Sequence, residues 1–207
     1  MIIAVDGPAA SGKGTIAKAL ARHYGLPHLD TGMLYRAAAL NLLRLGLDPE
    51  SEFHAARACD VSQIDFDDPE LRSEAVGGVA SRISAYPLVR QALLERQRHF
   101  AAQPGGAVLD GRDIGTVIAP EAEAKLFVTA SPEVRARRRC EELARNGLKA
   151  SLEDVLADIR ARDARDAGRA AAPLVQAADA ELLDTSALPI DEAVARAIAI
   201  VERRRRA

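Results

Sequence analysis

The chain has 207 residues, of which 48% are apolar and 28% charged, and its net charge is −2. These values suit one globular domain, and the near-neutral charge disfavours binding to nucleic acid or an anionic membrane through overall charge. No apolar run approaches the roughly 20 residues of a membrane span, and the amino terminus lacks the basic start of a signal peptide. Two widely separated cysteines exclude a disulfide framework, so we expect a cytoplasmic protein without a membrane segment.

The first half of the chain alternates short strands with helices. Short apolar runs that end at Asp, Gly or Pro indicate buried strands, whereas apolar residues every three or four positions indicate helices. In chain order, the predicted elements are a strand over 2–6, a helix over 14–24, a strand over 27–30, a helix over 31–45, an irregular acidic stretch over 47–75, and a mostly helical stretch over 74–103 with an interruption at Tyr86-Pro87.

The second half continues the alternation. Ser131-Pro132 is typical of a helix start, Asn146-Gly147 of a helix end, and Ser151 with Asp154 resembles a capping box. In chain order, the predicted elements are strands over 106–110 and 125–129, helices over 133–145 and 151–167, a strand over 181–185, and a helix over 190–201. Strands separated by helices predict an α/β fold with a parallel sheet that is covered on both faces.

The strongest chemical signal lies between the first strand and the first helix. The spacing Gly7-x4-Gly12-Lys13 in this context matches a phosphate-binding P-loop, in which backbone N–H groups wrap the β-phosphate and the lysine reaches the β and γ oxygens. Gly14 replaces the Ser or Thr that normally ligates Mg²⁺, and Thr15 follows one place later. We therefore expect Mg²⁺ to be held mostly by phosphates and waters. The loop comprises Gly7, Pro8, Ala9, Ala10, Ser11, Gly12, Lys13, Gly14 and Thr15.

Two further polar motifs follow predicted strands. Asp30-Thr31-Gly-Met-Leu-Tyr-Arg36 follows the second strand, and Asp110-Gly-Arg112-Asp113-Ile-Gly follows the third. Ligands of open α/β sheets bind at the carboxyl ends of strands, so both motifs are candidate binding segments. The alternatives are a helix cap with a surface arginine for the first motif and an ordinary polar turn for the second. Asp110 is placed to organise Mg²⁺ or its waters.

Arginine dominates the basic residues, since only four of the 28 are lysines. The interleaved acids are consistent with a solvated face of i,i+4 ion pairs. The functional alternative is a lid whose arginines close over a polyphosphate. Nucleic-acid binding is disfavoured because acids alternate with the arginines and aromatics make up only 3% of the chain. The arginine-rich segments contain Arg135, Arg137, Arg138 and Arg139, then Arg160, Arg162, Arg165 and Arg169 among Asp158, Asp163 and Asp166.

Taken together, these motifs resemble the bacterial cytidylate kinase family over nearly the whole chain. The resemblance rests on Asp6-Gly-Pro…Gly12-Lys-Gly-Thr15, Asp30-Thr-Gly…Tyr35-Arg36, Val89-Arg90…Gln97-Arg98, Asp110-Gly-Arg-Asp-Ile-Gly-Thr116, and Arg162-Asp…Arg165-Asp166…Arg169…Pro173-Leu174. It implies transfer of the γ-phosphoryl group of ATP to CMP or dCMP, with Mg²⁺ accompanying ATP. It also implies a P-loop NTPase fold, with a five-stranded parallel sheet, a mobile part that binds the nucleoside monophosphate, and a short helical lid.

The resemblance implies a role for each matching residue. Thr31, Arg90 and Asp113 are expected to read cytosine, Arg36 to hold the CMP phosphate and Asp166 to bind ribose. The catalytic set would be Lys13, Arg112, Arg162 and Arg169; the ATP set would be the P-loop with Arg138; and the CMP set would be Thr31, Arg36, Arg90, Arg112, Asp113, Asp166 and Arg169. No residue is expected to ligate the metal directly, although Asp110 is placed to act on it through water.

The resemblance also divides the chain. The parts are a core of 1–30, 104–145 and 171–207, a CMP-binding part over about 31–103, and a lid over about 146–170. Residues 60–74 stand where family members commonly carry extra strands, and we expect that insert to be shortened by about two strands. A monomer is expected.

Two other functions remain open. One is a different small P-loop kinase acting on AMP, UMP, shikimate or a coenzyme precursor. The segments from Asp110 to Gly115 and from Arg162 to Arg169 argue against it. The other is a regulatory module that binds ATP without transferring phosphate.

Overall fold

A computed structural model describes residues 1–145 and 147–206. Its centre is a five-stranded parallel sheet with strand order β2-β3-β1-β4-β5. The strands are β1 (Ile2–Asp6), β2 (His28–Asp30), β3 (Ala107–Gly111), β4 (Ala124–Thr129) and β5 (Glu181–Asp184). In the register, Asp6 stands beside Gly111 of β3 and Phe127 of β4, so the carboxyl ends of these strands meet at one edge. All five predicted strands are confirmed, within one or two residues at their ends.

Helices connect and flank the strands. Their bounds are α1 (Lys13–Tyr24), α2 (Thr31–Arg44), α3 (Glu52–Arg57), α4 (Glu74–Ile83), α5 (Pro87–Ala101), α6 (Pro132–Arg145), α7 (Leu152–Ala167) and α8 (Ile190–Arg206). The predicted break at Tyr86-Pro87 is confirmed, because α4 ends before it and α5 begins at Pro87. The stretch over 47–75, which the sequence predicts to be irregular, contains the short helix α3, so the prediction is wrong there. Ser51 caps this helix by accepting a hydrogen bond from the His54 N–H.

The ends of α6 and α7 follow from local chemistry. Ser131 Oγ accepts the Val134 N–H before α6, and Ser151 Oγ accepts the Asp154 N–H before α7, which confirms both predicted helix starts. Asn146, which we predicted to end α6 with Gly147 and to begin the lid, lies outside the described residues, as does Ala207 at the end of the predicted core.

One compact unit comprises Met1–Leu29 and the chain that follows Phe100. Its core is apolar and lies where α1 and α8 cover the sheet. The fully buried side chains there include Ile3 and Val5 of β1, Ile16 and Leu20 of α1, and Val201 of α8. Burial of each such side chain contributes about 1.5–3 kcal/mol to the stability of the fold. The apolar core therefore holds the strands whose carboxyl ends carry the polar motifs.

A second compact unit comprises Asp30–Phe100. Within it α2 packs against α3 and α4. Residues 60–73 form turns and a 3-10 helix over Pro69–Arg72, and α4 begins at Glu74. Asn41 of α2 donates hydrogen bonds to the carbonyls of Ala58 and Asp60, which ties the start of this segment to the helix. In the described part of the chain, no helix has the length and apolar character needed to cross a membrane.

Candidate active site

The loop between β1 and α1 has a backbone that only small residues accept. Gly7 has a φ of +154°, and a Cβ there would lie 2.0 Å from the carbonyl oxygen of Val128. Gly12, which precedes α1, has a φ of +88°, and Ala10 also has a positive φ. The N–H groups in the first turn of a helix have no acceptors within the helix. The loop leads the chain around this amino-terminal end of α1. The loop is therefore shaped as a cradle for an anion such as phosphate.

Two side chains of this loop suit phosphate oxygens. The Lys13 ammonium group lies over the loop and donates to the carbonyl of Pro8 at 3.3 Å. Ser11 is fully buried, and among the described residues its hydroxyl oxygen has no hydrogen-bond partner. Leaving a buried hydroxyl unsatisfied costs about 1–3 kcal/mol, which a bound phosphate oxygen would relieve.

Arg138 and Thr185 brace the same loop from α6 and from the end of β5. Arg138 donates to the Thr185 hydroxyl at 3.0 Å and to the Thr185 carbonyl at 2.6 Å. The Thr185 hydroxyl lies 3.0 Å from the Ser11 carbonyl and 3.1 Å from that of Thr129. The Arg138 guanidinium also lies 3.4 Å from the Ser11 carbonyl. Arg138 is thus at the P-loop, while the bracing role of Thr185 has no signal in the sequence.

Gly14, which replaces the usual Ser or Thr of a P-loop, leaves room beside the Asp110 carboxylate. A Cβ on Gly14 would lie 3.7 Å from Asp110 Oδ2, at the first turn of α1. Asp110 is buried, and its Oδ1 lies 2.7 Å from Nε2 of His28. Carboxylate oxygens and water are the ligands Mg²⁺ prefers, so these residues fit a Mg²⁺ ion held by phosphates and waters near Asp110. The described residues contain no group of three or more His, Cys, Asp or Glu that could hold a metal by themselves.

Asp6 clamps the turn that follows β3. Its Oδ1 accepts the Ile114 N–H and its Oδ2 accepts the Gly115 N–H, both at 2.8 Å. The pKa of this carboxyl is raised to about 7, mainly by burial and to a lesser extent by the charge of Asp113. The two N–H bonds and the charge of Lys13 act in the opposite direction and lower the pKa. Asp6 therefore links the end of β1 to the turn that carries Arg112 and Asp113.

Asp166 of α7 gathers two of the expected catalytic arginines. Its Oδ2 accepts from Arg112 Nε at 2.7 Å and its Oδ1 from Arg169 Nη2 at 2.5 Å, and the side chain is fully buried. Burial acts to raise the pKa of Asp166, but the guanidinium groups of Arg112, Arg169 and Arg162 outweigh it and hold this pKa below its usual value. The acid stays ionised at neutral pH and fixes the two arginines relative to each other.

Arg36 and Thr31 belong to the second unit. Thr31 is buried at the start of α2. The Arg36 guanidinium donates to the carbonyls of Leu71 and Ser73 at 2.7 and 3.2 Å. It also lies over Gly77 of α4, where a Cβ would come within 2.8 Å of Nη2. Arg36 is therefore held at the start of α4 by backbone acceptors.

Arg90, the third expected CMP-binding residue of this unit besides Thr31 and Arg36, lies on α5. Its Nη1 is 3.5 Å from the carbonyl of Ser84, the residue that follows α4. The other expected CMP residues, Arg112, Asp113, Asp166 and Arg169, belong to the first unit, where Asp166 joins two of them.

Several residues at this site escaped the sequence analysis. Asp6, His28 and Thr185 were assigned no role, and Arg135 and Asp163 were named only as members of the arginine-rich segments, yet each contacts a predicted site segment. The acids of α7 were read as partners within the helix, whereas Asp163 pairs with α6 and Asp166 with the turn after β3. Their signal in the sequence is weak, because spacing along one helix does not report contacts with other elements.

Sequence comparisons identify similar proteins. The family model described as cytidylate kinase matches residues 3–203. A cytidylate kinase from Xanthobacter autotrophicus is 62% identical, over 99% of this chain and 99% of its own. A cytidylate kinase from Azorhizobium caulinodans is also 62% identical, over 99% of this chain and 100% of its own.

Solved structures share the fold at low identity. A gluconokinase from Sinorhizobium meliloti is 19% identical with a TM-score of 0.53, covering 98% of this chain and 91% of that one. A protein from Eubacterium ventriosum is 15% identical with a TM-score of 0.54, covering 98% of each chain. Together with the parallel sheet, these likenesses show that the chain shares an α/β fold with solved structures.

Proposed function

The chain belongs to the cytidylate kinase family, and from this premise we propose how its residues transfer the γ-phosphoryl group of ATP to CMP or dCMP. The enzyme is a phosphotransferase. The observation that carries the proposed residue roles is the buried cluster in which Asp166 holds Arg112 and Arg169. Phosphoryl transfer between two polyanions requires positioned cations, and two guanidinium groups fixed on one carboxylate supply them.

ATP is proposed to bind at the P-loop, residues Gly7 to Thr15. Its β-phosphate would accept the loop N–H groups, Lys13 would contact the β and γ oxygens, and Arg138 would bind beside the loop. The unsatisfied Ser11 hydroxyl and the bracing of Ser11 by Arg138 and Thr185 support this assignment. These hydrogen bonds hold the Ser11 backbone in place, which lowers the entropy cost of binding.

Mg²⁺ is proposed to accompany ATP, with Asp110 acting on it through water. When bound, it would neutralise charge on the β- and γ-phosphates. The room left by Gly14 beside Asp110 supports this placement, and His28 keeps the carboxylate oriented.

CMP is proposed to bind through Thr31, Arg36, Arg90, Arg112, Asp113, Asp166 and Arg169. Asp113 suits the cytosine amino group because a carboxylate accepts hydrogen bonds, and Thr31 and Arg90 would complete the reading of the base. Arg36 would hold the phosphate, while Asp166 would bind ribose. Both Asp166 oxygens already accept from arginines, so ribose would share this carboxylate with them.

Catalysis is proposed to consist of alignment and charge neutralisation. The acceptor phosphate has a second pKa near ~6, so it attacks as an anion without a general base. Lys13, Arg112, Arg162 and Arg169 would neutralise the charge of the transferring group. Residues 146–170 would act as a lid that excludes water and prevents ATP hydrolysis. The core would comprise residues 1–30, 104–145 and 171–207, and the CMP-binding part about 31–103. The net charge of −2 and the interleaved acids support the absence of nucleic-acid partners. The two widely separated free cysteines support a cytoplasmic location, and a monomer is proposed as well.

Conservative arginine variants test the cluster. Arg169→Lys keeps the positive charge but loses the planar fork, so kcat should fall on the order of 10–100-fold while the ATP dissociation constant changes little. Arg165→Lys is the matched control, since Arg165 is exposed on α7, directly before Asp166. An Arg169 variant that behaves like the Arg165 control would contradict the proposed role of the cluster.

Base reading has its own test. Asp113→Asn replaces one acceptor oxygen with an amide group that can donate to the O4 of UMP. The ratio of kcat/KM for CMP to that for UMP should therefore fall by at least about tenfold. An unchanged ratio would remove Asp113 from the base-reading set and leave the P-loop assignment intact.

A further inference from the structure

The buried face of α7 changes character along its length. Val155 and Ile159 pack with Ala136 and Leu143 of α6 in a small apolar cluster. Asp163 continues the same face four residues later, and Asp166 follows after three more. The carboxyl-terminal turns of α7 are thus held by carboxylates where apolar side chains would continue the cluster.

Asp163 forms an ion pair with Arg135, a buried arginine of α6. Arg135 Nη1 donates to Asp163 Oδ1 at 2.9 Å and Nη2 donates to Oδ2 at 2.5 Å, which forms a bidentate pair. The Arg135 side chain is only 3% exposed. Its Nε donates to the carbonyl of Ala130 at 2.8 Å, and Nη1 also lies 3.3 Å from the carbonyl of Ala9 in the P-loop. One guanidinium group therefore connects the end of β4, the P-loop and α7.

Stability alone does not account for this pair. Burying the Arg135 charge costs several kcal/mol, whereas the Asp163 side chain stays 29% exposed, and apolar residues of similar volume often serve a fold equally well or better. The cluster of Val155 and Ile159 already joins α6 to α7. What the ion pair adds is direction, because the planar fork of Arg135 holds the Asp163 carboxylate while Nη1 of the same guanidinium lies 3.3 Å from the Ala9 carbonyl of the P-loop.

The geometry points to Arg135 and Asp163 as a positioning pair that sets α7 relative to the P-loop. This inference rests on the proposed function of the residues that α7 and its end carry, Arg162, Asp166 and Arg169. Asp163 directly follows Arg162 and lies one turn before Asp166, so a shift of its carboxylate moves both neighbours. Neither Arg135 nor Asp163 is required to touch a nucleotide; they act through the residues they place.

The chain offers a matched control for this pair. Arg160 Nη2 and Glu133 Oε1, 2.9 Å apart, also join α7 to α6, but their side chains are 60% and 47% exposed. Exposed pairs of this kind contribute about 0–1 kcal/mol and are screened by salt. Arg160→Gln therefore breaks an ion pair between the same helices without disturbing the guanidinium at the P-loop.

Steady-state kinetics of Asp163→Asn, Asp163→Glu and Arg160→Gln test the inference, with ATP binding measured by calorimetry and folding by melting temperature. Asp163→Asn should lower kcat on the order of 100-fold, because it leaves Arg135 without its bidentate acceptor and loosens the end of α7 that lies beyond the apolar cluster. Asp163→Glu keeps the charge but lengthens the side chain by one methylene, so kcat should fall about tenfold with little change in melting temperature. In both variants the ATP dissociation constant should change less than kcat, and Arg160→Gln should stay within about twofold of the unmodified chain.

Three outcomes overturn the inference. The first is kcat in Asp163→Asn within about threefold of the unmodified chain. The second is equal effects of the Asp163 and Arg160 variants. The third is a loss of kcat in a folded Asp163→Glu that is matched by an equal loss of ATP affinity. If Asp163→Asn does not fold, Asp163→Glu decides the question. Failure of the proposed function looks different, since the unmodified chain itself would then not phosphorylate CMP.

Discussion

Because the Asp6 carboxyl is buried, the free energy of unfolding of this enzyme should depend on pH near 7, above the pH range in which ordinary carboxylates titrate. Burial raises the pKa of Asp6 from 3.8 to about 7 in the folded protein. Folding therefore favours the protonated acid, and the stabilisation is fully present below the unfolded pKa and is lost as pH rises through about 7. Asp6→Asn cannot ionise, so the difference between the two proteins isolates this group.

The magnitude follows from the size of the pKa difference. One unit of pKa corresponds to about 1.4 kcal/mol. Relative to Asp6→Asn, the free energy of unfolding of the unmodified enzyme should rise by about 1 kcal/mol from pH 8 to pH 6. By pH 5 the rise should reach roughly 3 kcal/mol. The two N–H bonds from Ile114 and Gly115 favour the ionised form and limit the effect to this size.

Urea unfolding at pH 5, 6 and 8 measures the difference directly. Asp158→Asn, at an exposed position of α7, is the control and should keep the pH dependence of the unmodified enzyme. A difference between the Asp6 variant and the unmodified enzyme that stays constant from pH 5 to pH 8, within about 0.5 kcal/mol, would refute the reasoning.

Three further predictions concern the ATP side of the site. Lys13→Ala should abolish transfer to CMP while the melting temperature stays within a few degrees, and a variant that retains most of its kcat would remove Lys13 from the mechanism. Gly7→Ala should lower both the melting temperature and ATP affinity, because its Cβ would lie 2.0 Å from a backbone carbonyl oxygen. Gly25→Ala also requires a positive φ but meets open space, so it should cost only about 1 kcal/mol and leave ATP binding intact; equal ATP affinities in these two variants would contradict the argument. His28→Ala should raise the Mg²⁺ concentration needed for half-maximal ATP binding in calorimetry, since it removes the partner of Asp110 Oδ1, and an unchanged Mg²⁺ requirement would make His28 purely structural.

The elements of the fold could be predicted from the sequence where local chemistry decides them. The β1 strand, the P-loop and α1 follow from an apolar run, two glycines at fixed spacing and helical periodicity. Caps at Ser131 and Ser151 placed two helix starts, because an N-cap hydroxyl acts within three residues. The short helix α3 could not be predicted, since six residues carry too little periodicity to distinguish it from a turn.

The contacts that organise the site depend on tertiary packing, which local patterns do not report. His28 meets Asp110 because β2 lies beside β3, an order that the sequence does not reveal. Asp6 reaches a turn 108 residues away along the chain. Asp163 had plausible partners within its own helix, but its side chain faces Arg135 of α6 instead. Candidate residues could therefore be named from motifs, whereas the residues that hold them in place emerged only from the structure.

We expect this chain to phosphorylate CMP and its base-reading residues to select cytosine. A coupled ADP-release assay with Mg²⁺-ATP and a panel of CMP, dCMP, UMP, AMP and shikimate tests both expectations, with Lys13→Ala prepared in parallel to exclude a contaminating kinase. Fast turnover with CMP and dCMP alone is the predicted result. Equal or faster turnover with UMP or AMP would contradict base selection by Thr31, Arg90 and Asp113, and the short segment over residues 60–74 would be the first place to look for the cause.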